Sequence, residues 1–357
     1  MMLCLKNIPT YIDSIDSLKT HLRQKPLHVS EMGDGNLNFI FRIKDSDEHS
    51  VILKFAPPYL RLLGPSFELP QNRICVEMHT LSYFQTFAPS YLPKILHMDE
   101  KESAFLMEDL SEYETLQKRQ LTHPIELDIY AKLGDFLGLL YTHKPPLKEE
   151  GYFENDTLKS ISEHYIFRYP IISNHEALTV PSFLSQVKQS ALFHTNLTRL
   201  TELFCSSKET LVHGDLHTGS VMIRGINIKI IDAEFSFFGP IGFDVGTLFA
   251  HILFGEIYAK HQNKPLYYEA SLSILWEHFV AHTHKNQTLL QTSIGFCGCE
   301  IFRRLFVPAK AKPLEMLSDT DKEKAYHLAH ALSVELIENS LHVKNFEEFL
   351  SVLKKYL

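Results

Sequence analysis

Residues 211–244 read L-V-H-G-D-L-H-T-G-S-V-M-I-R-G-I-N-I-K-I-I-D-A-E-F-S-F-F-G-P-I-G-F-D. Two short apolar runs, Leu211-Val212 and Val221-Met222-Ile223, flank a polar loop, and a third, Ile228 to Ile231, ends in Asp232 and Glu234. The pattern predicts a loop followed by a β-hairpin, with carboxylates at both ends. Phosphoryl transfer needs this arrangement. Its transition state asks for little covalent work, so one carboxylate orients the attacking hydroxyl while others hold Mg²⁺ on the phosphates. Asp215 fits the first role and Asp232, 17 residues on, fits the second. A lone H-G-D is a weak signal, because His and Asp are common in turns. Its combination with a strand-bounded D-x-E is far more specific.

The spacing resembles that of the catalytic-loop Asp and metal Asp of protein kinases. More closely, H-G-D-L-H-T-G-S followed by D-A-E-F-S-F-F-G-P-I-G-F-D resembles the core of the methylthioribose kinases, a branch of the kinase-like superfamily that includes aminoglycoside and choline kinases. The resemblance implies an α+β, bilobal protein-kinase-like fold: a small β-rich N-terminal lobe and a larger, mainly helical C-terminal lobe. It also implies ATP and Mg²⁺ as cofactors. The wider superfamily carries an Asn metal ligand five residues after the catalytic Asp, where this chain has Ser220. Glu234 supplies a compensating anionic oxygen for a hard cation, so Asp232 and Glu234 are the expected metal ligands. The family pattern D-P-E is here D-A-E. Ala233 loosens φ locally but removes no ligand. Asp244 parallels a superfamily Asp that anchors the catalytic loop, a supporting role.

Toward the N-terminus, Tyr11, Ile12, Ile15 and Leu18 are spaced for a short helix. Strand-like residues then flank Gly33-Asp34-Gly35-Asn36, a strong hairpin signal. An ordinary β-turn explains that stretch alone. The following strand, S-V-I-L-K-F, puts Lys54 in an apolar run, where kinases reach the nucleotide phosphates. G-D-G-N-L-N matches the methylthioribose kinase loop, which implies that Gly33, Asp34, Gly35, Asn36 and Asn38 line the ATP site with Lys54. Residues 72–87 read as a helix with Asn72 as N-cap, and Glu77 on it is either a partner for Lys54 or a solvated charge. Strands are expected over 91–98 and 103–107. The second runs into Glu108-Asp109-Leu110, which matches an interlobe hinge whose free backbone groups read an adenine edge. The Glu108 and Asp109 carboxylates equally suit capping of the next helix. A boundary here gives a nucleotide-binding lobe, 1–108, and a catalytic and substrate-binding lobe, 109–357.

Toward the C-terminus the reading is helical: 125–143, 181–204, 245–259, 267–284, 289–306, 319–339 and 346–357. The segment N-D-T-L-K-S-I-S-E-H-Y-I-F-R-Y-P resembles one that lies near the sugar site in the family. Arg303 and Arg304 sit among apolar residues. Neighbours on a helix point about 100° apart, so only one is expected to face a given site. A salt bridge plus a solvated charge explains the pair equally. The methylthioribose kinases carry an Arg-Arg pair at the matching place, which implies a substrate role for Arg303 or Arg304, and a guanidinium fork suits hydroxyls and phosphoryl oxygens.

The 357 residues are 45% hydrophobic and 22% charged, enough for two cores of a globular protein. A net charge of −8 provides no basic field for nucleic acid. Five scattered cysteines build neither a disulfide frame nor a zinc site; the Cys297 and Cys299 pair reads as buried thiols, and a reducing cytoplasm is expected. The longest apolar stretch, 246–255, contains His251 and is not read as a membrane span. No nucleic-acid or membrane partner is expected, and the resemblance implies a homodimer. Its further implication is an ATP-dependent kinase acting on the anomeric hydroxyl of 5-methylthioribose, in methionine salvage. The alternatives are the same machinery acting on a 5-deoxypentose, an amino alcohol or an aminoglycoside, and a catalytically inactive nucleotide- or sugar-binding protein. Cationic substrates call for clustered acidic residues, and the arginine pair argues against them. Asp215, Asp232, Glu234 and Lys54 argue against an inactive protein.

Overall fold

The computed structural model describes residues 3–33, 37–61, 63–145, 151–172, 187, 190–283, 287–307 and 309–357. Strand alternation layers its N-terminal third. Strands β1 (His28–Met32), β2 (Phe39–Lys44), β3 (Ser50–Phe55), β4 (Ile95–Asp99) and β5 (Ala104–Glu108) form an antiparallel sheet of order β1-β2-β3-β5-β4. On one face Val51, Leu53 and Phe55 pack with Phe41, Ile43 and the N-terminal residues Ile8, Tyr11, Ile12, Ile15 and Leu18. On the other, Ile52 packs with Ile74, Met78, Leu81 and Phe84 of the helix Asn72–Gln85. Successive strand side chains alternate faces, so Lys54 shares the face of Ile52 and meets that helix.

Several boundaries differ from the sequence reading. The N-terminal segment is two pieces, an α-helix Ile8–Asp13 and a 3₁₀ turn Asp16–Thr20. Ser14 Oγ donates to the Tyr11 carbonyl at 2.6 Å, the local bonding that competes with helix continuation. Gln71, not Asn72, occupies the N-cap of the next helix, and its amide donates to the Ala56 carbonyl. β4 begins only at Ile95, because a 3₁₀ turn, Pro89–Tyr91, and then Pro93, which has no N–H to give a ladder, occupy the first half of the expected strand. Asp34, Gly35 and Asn36, and residues 181–186 and 188–189 of the helix expected over 181–204, lie outside the described residues. The described part of that helix is Ala191–Ser206.

Beyond Glu108 the chain leaves the sheet and becomes mainly helical. Two small β units remain: β6 (Glu114–Thr115), β8 (Val221–Arg224) and β9 (Asn227–Ile230) in one, β7 (Thr210–Val212) and β10 (Phe237–Gly239) in the other. The helix Ile241–His261 is the axis of this lobe, with every residue from Ile241 to Ile257 buried. By length and composition alone it is long and apolar enough to cross a bilayer, but 94% of its apolar window is buried inside the protein. Gly246 lets the helix Gln287–Phe306 approach closely, since a Cβ there would lie 2.5 Å from the Ser293 carbonyl. The two helices are thus fixed side by side, which places His251 against Glu300.

Candidate active site

Gly214 sets the shape of the loop between β7 and β8. Its φ of +83° suits glycine, and a Cβ would lie 2.0 Å from the Phe235 carbonyl. The Asp244 carboxylate accepts from the N–H groups of His213 (2.6 Å) and Gly214 (3.0 Å), as the superfamily parallel implied. Buried His213 accepts from the Asp215 N–H through Nδ1 and therefore carries its proton on Nε2, which donates to the Ile231 carbonyl. Burial pushes it down to about 4, so it stays neutral. By the same logic His217 accepts from the Gly219 N–H at Nδ1 and presents Nε2–H to Asp215 Oδ2, 3.5 Å away. Ser220 does not project as a ligand: its hydroxyl donates to the Asp215 and His217 carbonyls and accepts from the His217 N–H.

The second carboxylate cluster follows β9. Asp232 has a left-handed backbone, φ +65°, at the entry to a 3₁₀ turn, Ala233–Phe235, in which Ala233 is fully buried. Lys54 Nζ bridges Glu77 and Asp232, 2.7 Å from each. Burial works against its charge, but Asp232, Glu77 and Glu234 outweigh it and keep the ammonium protonated. Asp232 is 42% exposed against 3% for Lys54, so the carboxylate offers its second oxygen outward. Buried Glu234 accepts from Asn38 Nδ2 at 2.7 Å, and Asn38 accepts from Arg73 Nε at 3.0 Å. Burial pushes the Glu234 carboxyl up, with Asp232 adding to it. Asn155 donates to the carbonyls of Glu234 and Ser236, so the N-D-T segment supports this turn. Asp232 and Glu234 are hard oxygen donors held two residues apart on one turn, a set that fits a divalent cation such as Mg²⁺.

Arg303 and Arg304 overturn the expectation that only one would face the site. Glu300, three and four residues before them, draws both to one side: Arg303 Nη2 donates to it at 3.1 Å and Arg304 Nε at 2.7 Å. Each then has Nη2 at 3.9 Å from Asp215 Oδ1. Burial raises the Asp215 carboxyl, but His217, Arg304 and Arg303 outweigh it and hold it well below the usual carboxylate range.

The structure thus brings Lys54, Asp232 and Glu234 together in one cluster and Asp215, Arg303 and Arg304 in another. The remaining candidates are placed differently. Gly33 has open space where a Cβ would lie. The Asn38 side chain is spent on Arg73 and Glu234, leaving its backbone for a ligand. Glu108 accepts from the Lys94 N–H and pairs with Lys229, while Asp109 holds Ser50 and Arg42. Neither carboxylate caps a helix; Thr115 caps the next one. Leu110 is buried and its carbonyl accepts from the Tyr113 N–H. Cys297 and Cys299 are buried free thiols. Sequence reading missed His217, His251, Glu300 and Arg73 as members of the site. Glu300 had a signal, a carboxylate at i−3 and i−4 of an arginine pair. Arg73 had none, because apart from Asn38 Oδ1 its partners are backbone carbonyls.

The model of the phosphotransferase enzyme family matches residues 28–265. The methylthioribose kinase of Geobacillus sp. (strain WCH70) is 31% identical over 334 residues, covering 83% of this chain and 82% of that one. The methylthioribose kinase of Exiguobacterium sibiricum is 30% identical over 374 residues, covering 95% of each. Among solved structures, a choline/ethanolamine kinase family protein from Mesorhizobium loti matches with a TM-score of 0.54 at 14% identity, over 94% of this chain and 98% of that one. Choline kinase from Cryptosporidium parvum Iowa II matches with a TM-score of 0.55 at 14% identity, over 98% of both chains. These structures share the fold, a β-rich N-terminal lobe on a helical C-terminal lobe, and the sequence relatives narrow the assignment: the chain belongs to the methylthioribose kinase family of the phosphotransferases.

Proposed function

We propose that this ATP-dependent kinase, which by its family acts on a hydroxyl, transfers the γ-phosphoryl of ATP to the anomeric 1-hydroxyl of 5-methylthioribose, a step of methionine salvage. The observation that carries the reading is Asp215, a carboxylate kept anionic between His217 and two guanidiniums. Such a group accepts a hydrogen bond from a sugar hydroxyl, orients it and takes its proton as the oxygen attacks. Arg303 and Arg304 stand where a neutral polyol and a phosphoryl group both find donors, and where a cationic substrate is repelled.

The other half of the reaction belongs to the first cluster. Lys54, fixed by Glu77, steadies the nucleotide phosphates together with the backbone around Gly33 and Asn38, and the hinge at 108–110 borders the adenine. Asp232 and Glu234 would hold Mg²⁺, which would supply positive charge to offset the charge that develops on the phosphates. In the same reading residues 1–108 and 109–357 are the two lobes, and the protein works in a reducing cytoplasm. The resemblance adds a homodimer, which light scattering tests.

Coupled ADP release with Mg-ATP against 5-methylthioribose, 5-deoxyribose, ribose, choline and an aminoglycoside tests the proposal. Turnover with methylthioribose that vanishes in Asp215→Ala supports it. Turnover with another acceptor alone keeps the kinase and rejects the substrate, and no turnover with any of them favours a binding protein.

A further inference from the structure

The acceptor side of the site has a second layer. Glu300 is 1% exposed and is shared by three donors: Arg303, Arg304 and His251, whose Nε2 lies 3.0 Å from Glu300 Oε1. His251 is itself buried, and its Nδ1 has no partner among the described residues. Its one polar contact there is therefore Glu300. The His251 ring also lies on that of His217, 4.9 Å between centroids and 24° between planes, and His217 faces Asp215. The contacts close a ring: Asp215, His217, His251, Glu300, the two arginines and Asp215 again.

We infer that Glu300 is the positioning residue of the acceptor side, its carboxylate, locked by His251, setting Arg303 and Arg304 at the edge of Asp215. The inference rests on the kinase reading above. The 3.9 Å between each Nη2 and Asp215 Oδ1 exceeds a hydrogen bond. That gap leaves Asp215 an oxygen for the incoming hydroxyl while keeping both guanidiniums in reach of the same group. Without the Glu300 charge, two cations would face one carboxylate, and they would close on Asp215 and occupy it. Burial opposes the Glu300 charge, but Arg303, Arg304 and His251 hold it ionised.

The test compares the unaltered enzyme with Glu300→Gln, which keeps shape and loses charge. The expected result is a kcat lower by about 10²-fold, the scale of a misplaced reacting group, with a raised KM for the acceptor and a KM for Mg-ATP within twofold, since the Lys54 cluster is untouched. His251→Ala, which leaves all three charges in place, is expected to show the same split at smaller size and covers the case in which Glu300→Gln does not fold. A separate readout needs no acceptor: phenylglyoxal labelling of Arg303 and Arg304, followed by peptide mass spectrometry, is expected to change in rate in both variants. If the unaltered enzyme turns over no acceptor, the kinase reading fails while the labelling still tests the ring. Folded variants with kcat, acceptor KM and labelling rates within twofold of the unaltered enzyme overturn the inference.

Discussion

Replacing Arg73 by Lys tests how far the turn that carries Asp232 and Glu234 depends on a residue outside it. Arg73 is 1% exposed and its guanidinium donates to Asn38 Oδ1 and to the carbonyls of Leu37, Pro57, Tyr59, Leu69 and Pro70, at 2.7 to 3.4 Å. It thereby ties the hairpin, the Pro-rich excursion and the helix Asn72–Gln85 to one point. Lysine keeps the charge but brings at most three N–H donors from one nitrogen, so about half of these acceptors lose their partner. Bonds to charged groups contribute roughly 1.5–3 kcal/mol each and compensate incompletely when lost. A loss of about 4 kcal/mol follows, at the upper end for a single substitution. With an m-value near 3 kcal/mol/M, the urea midpoint falls by about 1 M. The single tryptophan, Trp276, stacks on Phe346 in the helical lobe, so its fluorescence reports that lobe while far-UV circular dichroism reports the whole chain. The dichroism midpoint is expected to fall further than the fluorescence midpoint. Because Asn38 also holds Glu234, the concentration of Mg²⁺ needed for half-maximal activity is expected to rise. A midpoint shift below about 0.3 M, which is about 1 kcal/mol at that m-value, or an unchanged Mg²⁺ requirement, refutes the reasoning.

Two further substitutions probe other parts of the structure. Lys54→Met removes the cation that bridges Glu77 and Asp232, and kcat/KM for Mg-ATP is expected to fall by about 10²- to 10³-fold; a change under threefold in coupled ADP release counts against the assigned phosphate role. Glu256, buried beside a cavity of about 180 Å³, accepts from the Tyr267 N–H at 2.8 Å, and burial pushes its carboxyl up to about 7. A folded-state value above the unfolded one means that the folded protein binds the extra proton. The stability this supplies is complete below the ordinary carboxylate range and is lost as pH rises from there through about 7. Glu256→Gln, neutral throughout, is therefore expected to gain on the parent between pH 5 and pH 8 in urea unfolding; equal gaps at the two pH values sink the assignment.

The local chemistry of the site was legible in the sequence because it is carried by short, contiguous motifs. H-G-D-L-H fixes Asp215 beside a glycine that only a left-handed turn requires, and D-A-E puts two carboxylates on one turn. The family resemblance added the arginine pair, and the alternation of apolar residues was enough for the strands and most helices. Caps and helix starts were less legible: Gln71 and Pro240 precede the helices where Asn72 and Val245 were expected, because backbone geometry and the bonds of neighbouring segments decide them.

What the tertiary structure alone decided is which distant residues share a charge. Angular spacing on a helix separates Arg303 from Arg304 by about 100°. Two long side chains and one buried carboxylate bring them together, since an unpaired guanidinium in the core costs more than bending the stems. Glu300 in turn meets His251 only because Gly246 lets two helices touch. Arg73 is drawn to backbone carbonyls that no side-chain pattern announces. The sequence supplied the candidate groups, which are local and chemically distinctive; the fold determined their orientation, because burial forces every charge and polar group to find a partner wherever the packing supplies one.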